Sequence, residues 1–332
     1  MIQYDRMVLG RQAKGLGFVR DTFEKVCRLA DVLDFMQRDI FLKNSLALKG
    51  GTAINLTIFD LPRLSVDIDL DFSEALGRVE MLEKRGEIAE RIRKNMRAHS
   101  YTLSEKSKKY HALDSFVYEY QNAGGMRDNL KIEINYMLRC HIFDVSRRMV
   151  KLPWLNQELT VLCVDPIEIF ASKIVALMNR AAPRDLYDFH NMIHFGLFNE
   201  RELELLRKSV VYYSAIGSDE TPTSFSFDSI RAITQNRIKT ELLPVLRNSP
   251  FFDVKAAQGE CIDYLKQLLN LTDREHEFLR LFKEKQYQPV LLFEDTDILS
   301  RISQHPMALW KCAEKSEKGR PKPAKHKNEP ER

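Results

Sequence analysis

Residues 66–72 alternate without a break between apolar and acidic side chains, in the order Val-Asp-Ile-Asp-Leu-Asp-Phe. A period of two is the repeat of a β-strand, whose successive side chains point to opposite faces of a sheet. Asp67, Asp69 and Asp71 therefore share one face, where their carboxylates repel each other and are costly to bury unpaired. One explanation is a solvated strand face, although aspartate is a poor strand former. We favour a bound divalent cation, since Mg²⁺ prefers oxygen ligands and is often held by carboxylates together with substrate phosphates.

A glycine turn precedes this strand. Gly50, Gly51 and Thr52 follow an apolar segment, residues 44–50, that favours a short strand, and Thr52 opens a predicted helix over 52–59. Glycine lets the backbone approach a phosphate, and a helix N-terminus adds N–H donors and a favourable dipole. Two glycines are also common in ordinary turns. Ahead of an Asp-x-Asp strand, however, they indicate a site for phosphate and metal.

A further carboxylate, Glu133, lies between two isoleucines in residues 129–137, which also favour a strand. If this strand neighbours the first, Glu133 faces the same metal site, as in carboxylate clusters that support two-metal phosphoryl transfer. The alternative is a strand with one exposed glutamate.

The helix predicted over residues 165–180 has the clearest start in the chain. Asp165 is a typical N-cap, Pro166 suits the first helical position, and Glu168 lies three residues after the cap. Within the helix, Lys173 lies among apolar residues. It either binds a phosphate as a point charge or extends along its apolar stem to solvent.

A second helix is predicted after Pro183. On it, Arg184 and Asp188 are four residues apart, which is the spacing of an ion pair along one helix face. His190 and His194 have the same spacing. No third metal ligand is evident near these two histidines, so we expect them to pack or cap rather than to bind metal.

The remaining segments predict an α+β chain in which a mixed sheet is followed by helices. Apolar spacing predicts helices over 15–40 and 79–98 and strands over 101–107 and 115–121. From about residue 197 the pattern is helical, with a loop over 217–229. The predicted regions are a sheet domain over 1–160, a helical domain over 161–310 and a basic, disordered tail over 311–332.

The charge of the chain is concentrated at its end. Residues 311–332 hold eight Lys/Arg and four Glu, which account for the whole net charge of +4. The rest of the chain is neutral, so composition alone does not indicate nucleic-acid binding. A local basic cluster on the helix over 79–98 is either an RNA-binding surface or a solvated face. It consists of Arg91, Arg93, Lys94 and Arg97.

The compartment follows from two further features. Five scattered cysteines without a CxxC spacing predict free thiols in a reducing compartment and no zinc site. No signal peptide opens the chain, and no run of about 18 apolar residues is present. We therefore expect a cytoplasmic protein without a membrane span.

Four ordered motifs give the chain a family resemblance. They are Lys49-Gly-Gly-Thr-Ala-Ile-Asn-Leu56, Arg63-Leu-Ser-Val-Asp-Ile-Asp-Leu70, Lys131-Ile-Glu-Ile134, and Glu168 and Lys173 with Arg184-Asp-Leu-Tyr-Asp188. Together they resemble the DNA polymerase beta-like nucleotidyltransferase superfamily, and more closely its AbiEii/AbiGii (abortive infection) toxins. The resemblance covers about residues 43–311, and the joint occurrence of the motifs is more specific than any one of them.

The resemblance implies both a fold and a function. The fold is a nucleotidyltransferase sheet flanked by helices, with an all-helical C-terminal domain. The function is that of a toxin in a bacterial toxin–antitoxin or abortive-infection (phage-defence) system, paired with a cognate antitoxin protein. Such a toxin transfers nucleotides from an NTP to an RNA acceptor, here the 3′ end of tRNA, with Mg²⁺ or Mn²⁺ as cofactor.

The resemblance also implies residue roles. Asp67, Asp69 and Glu133 are the metal ligands, and with Lys173 and Asp188 they form the catalytic set, although Asp185 is an alternative to Asp188. The residues expected to bind the nucleotide are Gly50, Gly51, Thr52, Ser65, Arg184 and Asp185. Asp71 is additional to the family pattern and has no assigned role.

Three other functions are compatible with parts of this pattern. A nucleotidyltransferase that modifies a protein hydroxyl, as in AMPylation, would use the same site with another acceptor. A nucleotide-binding or antitoxin-binding module without catalysis is disfavoured by the complete set of carboxylates. A metal-dependent phosphohydrolase is disfavoured because the expected His-Asp pairs are missing.

Overall fold

The computed structural model describes residues 4–154, 158–247 and 252–313. Within these ranges the strands are β1 (Leu46–Leu48), β2 (Asp67–Phe72), β3 (Thr102–Leu103), β4 (Lys108–Lys109), β5 (Leu113–Gln121), β6 (Arg127–Asn135), β7 (Ser146–Met149) and β8 (Thr160–Cys163).

The α-helices form most of the rest. They are α1 (Arg6–Leu16), α2 (Arg20–Arg38), α3 (Leu42–Ser45), α4 (Gly50–Ala53), α5 (Arg78–Ala98), α6 (Pro166–Arg180), α7 (Pro183–His194), α8 (Glu200–Gly217), α9 (Asp228–Arg231), α10 (Gln235–Arg237), α11 (Val254–Leu268), α12 (Asp273–Lys283), α13 (Thr296–Ile302) and α14 (Pro306–Cys312). π-helical turns follow α4 at Ile54–Ile58 and α10 at Ile238–Leu242, and 3₁₀ turns span Leu243–Val245 and Pro289–Leu291.

The strands form one mixed sheet in the order β3-β5-β6-β2-β1-β8-β7, with β4 also paired to β5. The acidic strand β2 lies inside this sheet, parallel to β6 on one side and antiparallel to β1 on the other. From α8 onward the described elements are helices and helical turns joined by loops, and one isolated bridge joins Leu246 to Arg63. This architecture confirms the predicted α+β fold with helices in the C-terminal part.

The alternation in β2 separates two environments. Ile68 and Leu70 are buried in the core, as are Ile132 and Ile134 on the neighbouring strand β6. The aspartates on the opposite face line a cavity together with residues of α6. Burial of one face fixes the register, because a slip of one residue would move the carboxylates into the core. The sheet therefore presents the acidic face of β2 toward α6.

Several element boundaries differ from the sequence-based expectation. The helix predicted over 15–40 is two helices, because Gly17 ends α1 in a left-handed conformation with φ 77°. The segment 44–50 begins as the short helix α3, and only Leu46–Leu48 is a strand. The segment 101–107 contains only the two-residue strand β3. The short strands β4, β7 and β8 were not predicted, because two to four residues are too few to show a period.

Other boundaries agree with the sequence. Asp165 caps α6 by accepting a hydrogen bond from the Ile167 N–H at 2.8 Å, with Pro166 at the first helical position. The predicted loop over 217–229 is the connection between α8 and α9. The described helical region extends to Cys312, while residues 314–332 of the predicted tail lie outside the described residues. Among described helices, none combines the length and apolarity that crossing a membrane requires.

Candidate active site

Asp69 and Glu133 occupy paired positions in the parallel register of β2 and β6, and Asp67 is paired with Lys131. Parallel pairing puts the side chains of opposing residues on the same face of the sheet. All four of these residues, and Asp71, line a cavity of about 540 Å³. The strand of Glu133 therefore neighbours the acidic strand, as the predicted role of Glu133 requires.

The cavity raises the energy of the ionised carboxylates. Burial raises the pKa of Asp69 to about 6, and the adjacent charges of Asp67 and Glu133 add to this effect while Lys49 opposes it. Burial also raises the pKa of Asp67, against the attraction of Lys131. Partly desolvated carboxylates that repel each other and share one face are a suitable donor set for a hard divalent cation.

Gly50 is required where the turn passes the acidic strand. Its φ is +64°, and a Cβ atom built there would lie 2.5 Å from Asp69 Oδ2. At Gly51 a Cβ atom would lie 2.6 Å from Arg63 Nη2 and 3.2 Å from Ser65 Oγ. Gly50, Gly51 and Ser65 all line the cavity. The two glycines therefore let the backbone run directly against the carboxylate site.

Thr52 has a different place from the one predicted. The helix begins at Gly50, with Lys49 as N-cap, so Thr52 is its third residue and does not open it. The buried Thr52 hydroxyl contacts Ser65 Oγ at 2.9 Å and the backbone carbonyl of Asp67. Its side chain lies behind the cavity wall. The contact holds the glycine turn and Ser65 against the start of β2.

The Lys173 ammonium lies between two aspartates of α7. Lys173 Nζ is 2.9 Å from Asp185 Oδ1 and 2.9 Å from Asp188 Oδ2. Burial alone favours the neutral amine, but these two carboxylates outweigh it and raise the pKa of Lys173 above its ordinary value. Lys173 lines the cavity with only 7% of its side chain exposed. It is thus a charged residue whose partners are already present within the protein.

Asp185 and Asp188 differ in position. Asp185 lines the cavity and also accepts a hydrogen bond from Arg180 at 2.9 Å. Asp188 is fully buried behind the wall, where it accepts two hydrogen bonds from Arg63, Nε at 2.7 Å and Nη2 at 2.6 Å. Of the two alternatives left open by the sequence, Asp185 is the one that faces the cavity.

The predicted ion pair between Arg184 and Asp188 is wrong. Arg184 lines the cavity, and its Nε donates to the backbone carbonyl of Glu241 at 2.9 Å. The partner of Asp188 is Arg63, which is 125 residues away in sequence. The spacing of residues along a helix cannot indicate a contact at this separation. Arg63 donates two hydrogen bonds to Asp188, which is a stronger arrangement than a single pair along one helix.

Four cationic residues of the cavity were not predicted as site residues, namely Arg63, Lys49, Lys131 and Arg180. Lys131 Nζ lies 2.9 Å from Glu133 Oε1, and Lys49 Nζ lies 2.5 Å from Asp71 Oδ1. Arg180 contributes a side chain that is 66% exposed. The strand and helix repeats could have placed Lys131 and Arg180 at the cavity, since Lys131 is two residues from Glu133 on a strand and Arg180 is seven residues from Lys173 on a helix. The pair with Lys49 gives Asp71 a structural partner.

Glu168 connects three parts of the chain beside the cavity. Its buried carboxylate accepts hydrogen bonds from His141 Nδ1 at 3.0 Å, from the Ile142 N–H at 3.1 Å and from the Tyr213 hydroxyl. The glutamate expected to cap α6 thus turns away from the helix end. It ties α6 to the segment after β6 and to α8.

Two predicted clusters lie outside the cavity. Within the basic helix α5, Arg91 pairs with Glu87 and Asp39, and Arg93 pairs with Glu90. The expectation that His190 and His194 lack a third metal ligand is wrong, because Glu260 Oε2 lies within 3.0 Å of both Nε2 atoms. This glutamate belongs to α11, which packs against α7 and is far from it in sequence.

The cavity joins an acidic wall to a basic one. Carboxylates from β2 and β6 form one side, and the cationic side chains of Lys131, Arg180 and Arg184 lie beside them. A metal-bound triphosphate presents the complementary charges, since the cation suits the carboxylates and the phosphate oxygens suit the Lys and Arg groups. The arrangement is suited to phosphoryl or nucleotidyl transfer.

The comparisons with known proteins agree with this chemistry. The fold is similar to that of MenT4, a nucleotidyltransferase toxin from Mycobacterium tuberculosis H37Rv, with a TM-score of 0.63 and 16% sequence identity over 91% of this chain and 99% of that chain. No curated protein matches the sequence. The family model described as "Nucleotidyl transferase AbiEii toxin, Type IV TA system" matches residues 34–257. The chain therefore belongs to the AbiEii family of nucleotidyltransferase toxins, as the sequence motifs indicated.

Proposed function

We propose that this nucleotidyltransferase toxin is metal-dependent and transfers nucleotides from an NTP to an RNA acceptor, the 3′ end of tRNA, and so blocks translation and growth. The observation that carries the metal and NTP parts of the proposal is the pairing of Asp69 with Glu133 on one face of the sheet, beside Asp67 and a basic wall. The choice of RNA rests on the resemblance to the family. Its cognate partner is an antitoxin protein.

Asp67, Asp69 and Glu133 would hold the divalent cation, Mg²⁺ or Mn²⁺. When bound, such a cation stabilises the charge that develops on phosphate oxygens and makes the attacking hydroxyl more acidic. The carboxylates bring negative charge, which attracts a cation and disfavours an anion at the same place. The raised pKa values of Asp67 and Asp69 are consistent with groups that gain a cation as partner.

Positioning of the nucleotide falls to the basic wall and the glycine turn. Lys131, Arg180 and Arg184 would bind the triphosphate oxygens as the NTP enters. Gly50 and Gly51 allow the triphosphate to lie close to the backbone, beside the Ser65 hydroxyl. The α-phosphorus would then lie near the carboxylates, in reach of an acceptor hydroxyl.

Lys173 acts differently from a free phosphate-binding lysine in this proposal. Because Asp185 and Asp188 already compensate its charge, Lys173 would hold Asp185 in the cavity wall and add to the positive field only through this network. Asp188 would hold Arg63, which lies against Gly51. Thr52 would likewise act by positioning the turn.

The test is transfer of label from each of four α-³²P-NTPs into separate pools of bacterial tRNA and protein, with Mg²⁺ present. Asp69→Asn is the inactive variant, and Asp60→Asn, which alters a carboxylate that is 92% exposed, is the matched control. The proposal predicts label in tRNA with the wild type and the control, and none with Asp69→Asn. Label in protein alone would reject the RNA acceptor and favour the protein-modifying alternative.

A further inference from the structure

A second cluster of potential ligands lies on the outer side of α7. We propose that His190, His194 and Glu260 bind a transition-metal cation, with Zn²⁺ as the expected ion, where α7 meets α11. None of the three lines the active-site cavity. The site is separate from the carboxylates of β2 and β6 and does not depend on the proposed acceptor.

The three ligand atoms converge on one point. His190 Nε2 and His194 Nε2 are 3.0 Å apart, and Glu260 Oε2 lies 3.0 Å from the first and 2.8 Å from the second. Zinc–ligand distances of about 2.0–2.1 Å in tetrahedral geometry put ligand atoms about 3.3 Å apart. An outward shift of a few tenths of an ångström at each atom would therefore accommodate the ion.

Hydrogen bonds alone cannot make all three contacts among His190, His194 and Glu260 favourable. A carboxylate oxygen only accepts, so the donors must be the two Nε2 atoms. If both carry a proton, the contact between His190 and His194 is repulsive. If only one does, the other nitrogen presents a lone pair to Glu260 Oε2. A cation at the centre would attract all three atoms and offset their mutual repulsion, because each atom can direct a lone pair toward it.

The ligand set favours zinc over magnesium. Two imidazoles and one carboxylate are a common zinc set, whereas Mg²⁺ prefers oxygen ligands throughout. His190 is 19% exposed, while His194 and Glu260 are 55% and 49% exposed. The fourth coordination position would thus face solvent, where a water molecule or a ligand from a partner can reach it.

The site would join two helices, one of which carries residues of the active site. His190 and His194 lie one turn apart on α7, and Glu260 lies on the adjacent α11. The opposite, buried face of α7 carries Asp185 and Asp188. A bound ion would therefore fix the outer side of the helix whose inner side holds Lys173.

The experiment is calorimetric titration of the full-length protein with Zn²⁺ alone as ligand, with excess Mg²⁺ present to occupy the carboxylate site. The variants are His194→Ala and Glu260→Gln, and His276→Ala, which removes an exposed histidine of α12, is the matched control. We expect one equivalent of Zn²⁺ to bind the wild type and the control. Loss of either ligand should weaken binding at least about tenfold, since even loss of a group that only supports a ligand costs that much.

Two readouts decide the outcome. With Co²⁺ in place of Zn²⁺, the wild type should give a visible absorption band of tetrahedral cobalt that both ligand variants lack. Zn²⁺ should also raise the Tm of the wild type and not that of Glu260→Gln, which retains the size of the side chain. Absence of Zn²⁺ binding to the wild type, or equal binding to wild type and both ligand variants, would overturn the proposal, whatever the transferase assay shows.

Discussion

Asp69 and Glu133 lie directly opposite each other on the adjacent parallel strands β2 and β6, and both face the same cavity. The alternation of side chains along each strand puts both carboxylates on one face of the sheet, and the parallel register places the two residues side by side. The two carboxylates are more than 60 residues apart in sequence, yet backbone hydrogen bonding holds them at neighbouring positions. The metal chemistry of the proposed site rests on this pair.

Replacing Asp69 by Asn should stabilise the metal-free protein while abolishing nucleotidyl transfer. Burial raises the pKa of Asp69 from 3.8 to about 6. Between these pH values the unfolded chain ionises Asp69 more readily than the folded protein does, so the free energy of unfolding falls as the pH rises. Asn has no charge to desolvate. We expect about 1–3 kcal/mol more free energy of unfolding near neutral pH. Urea denaturation without metal measures the difference, and a loss of stability would contradict the electrostatic argument.

Metal binding should weaken as the solution is acidified. Because burial raises the pKa of Asp69 to about 6 in the absence of metal, protons compete with the cation below that pH. For one competing proton the apparent Kd for Mn²⁺ should rise toward about tenfold per pH unit. Electron paramagnetic resonance of free Mn²⁺ measures this. An affinity that does not change from about pH 7 to about pH 5 would show that Asp69 is not a ligand.

Gly50→Ala should disturb both the turn and the metal site. The φ of +64° penalises a Cβ atom by about 1 kcal/mol or more, and the new atom would press on Asp69 Oδ2. We expect a lower Tm and weaker Mn²⁺ binding. Gly86→Ala in α5 is the control, because a Cβ atom there meets nothing within 4 Å. It should be neutral or stabilising by about 0.5–1 kcal/mol, and equal effects of the two substitutions would contradict the role given to Gly50.

Asp188→Asn should be the most destabilising of the conservative changes at the site. It leaves Arg63, which is 2% exposed, without its carboxylate partner. Breaking a buried pair in this way costs about 3–5 kcal/mol. Asp263→Asn, which breaks the exposed pair with Lys266, should cost under about 1 kcal/mol. Chemical denaturation of both variants tests the contrast, and similar values for the two would show that Asp188 is not a structural anchor.

Arg180→Ala should weaken NTP binding more than it slows the chemical step. The side chain is largely exposed at the cavity, where it pairs with Asp185 and with none of the three proposed metal ligands. Loss of one charged hydrogen bond of about 1.5–3 kcal/mol corresponds to a roughly ten- to hundredfold rise in KM. Arg180→Lys should recover part of the affinity. A large fall in kcat with unchanged KM would instead place Arg180 in transition-state stabilisation.

The features that follow local periodicity were predictable from the sequence. The acidic face of residues 66–72 needs only the two-residue repeat of a strand. The start of α6 needs only Asp165 and Pro166. Whether Glu133 faces the metal site depended on its strand lying beside the acidic strand. The order of the motifs supported that expectation, although strand periodicity alone did not.

The features that depend on long-range contacts were not predictable. Arg63 pairs with Asp188 across 125 residues, and Glu260 reaches His190 across 70. Neither separation produces a periodic pattern in the sequence. Thr52 has the side chain of a helix cap, yet the tight turn at Gly50 moves the helix start two residues earlier and buries its hydroxyl. Tertiary packing overrides the local preference at that position.

The most direct test of the paired carboxylates is the dependence of nucleotide transfer on Mg²⁺ concentration in wild type, Glu133→Gln and Glu119→Gln. Glu119 lies on the neighbouring strand β5, where its carboxylate accepts a hydrogen bond from Ser104 rather than facing the cavity. We predict that Glu119→Gln retains the wild-type Mg²⁺ dependence, and that Glu133→Gln loses transfer or requires far more Mg²⁺. Wild-type transfer by Glu133→Gln at low Mg²⁺ would contradict the account.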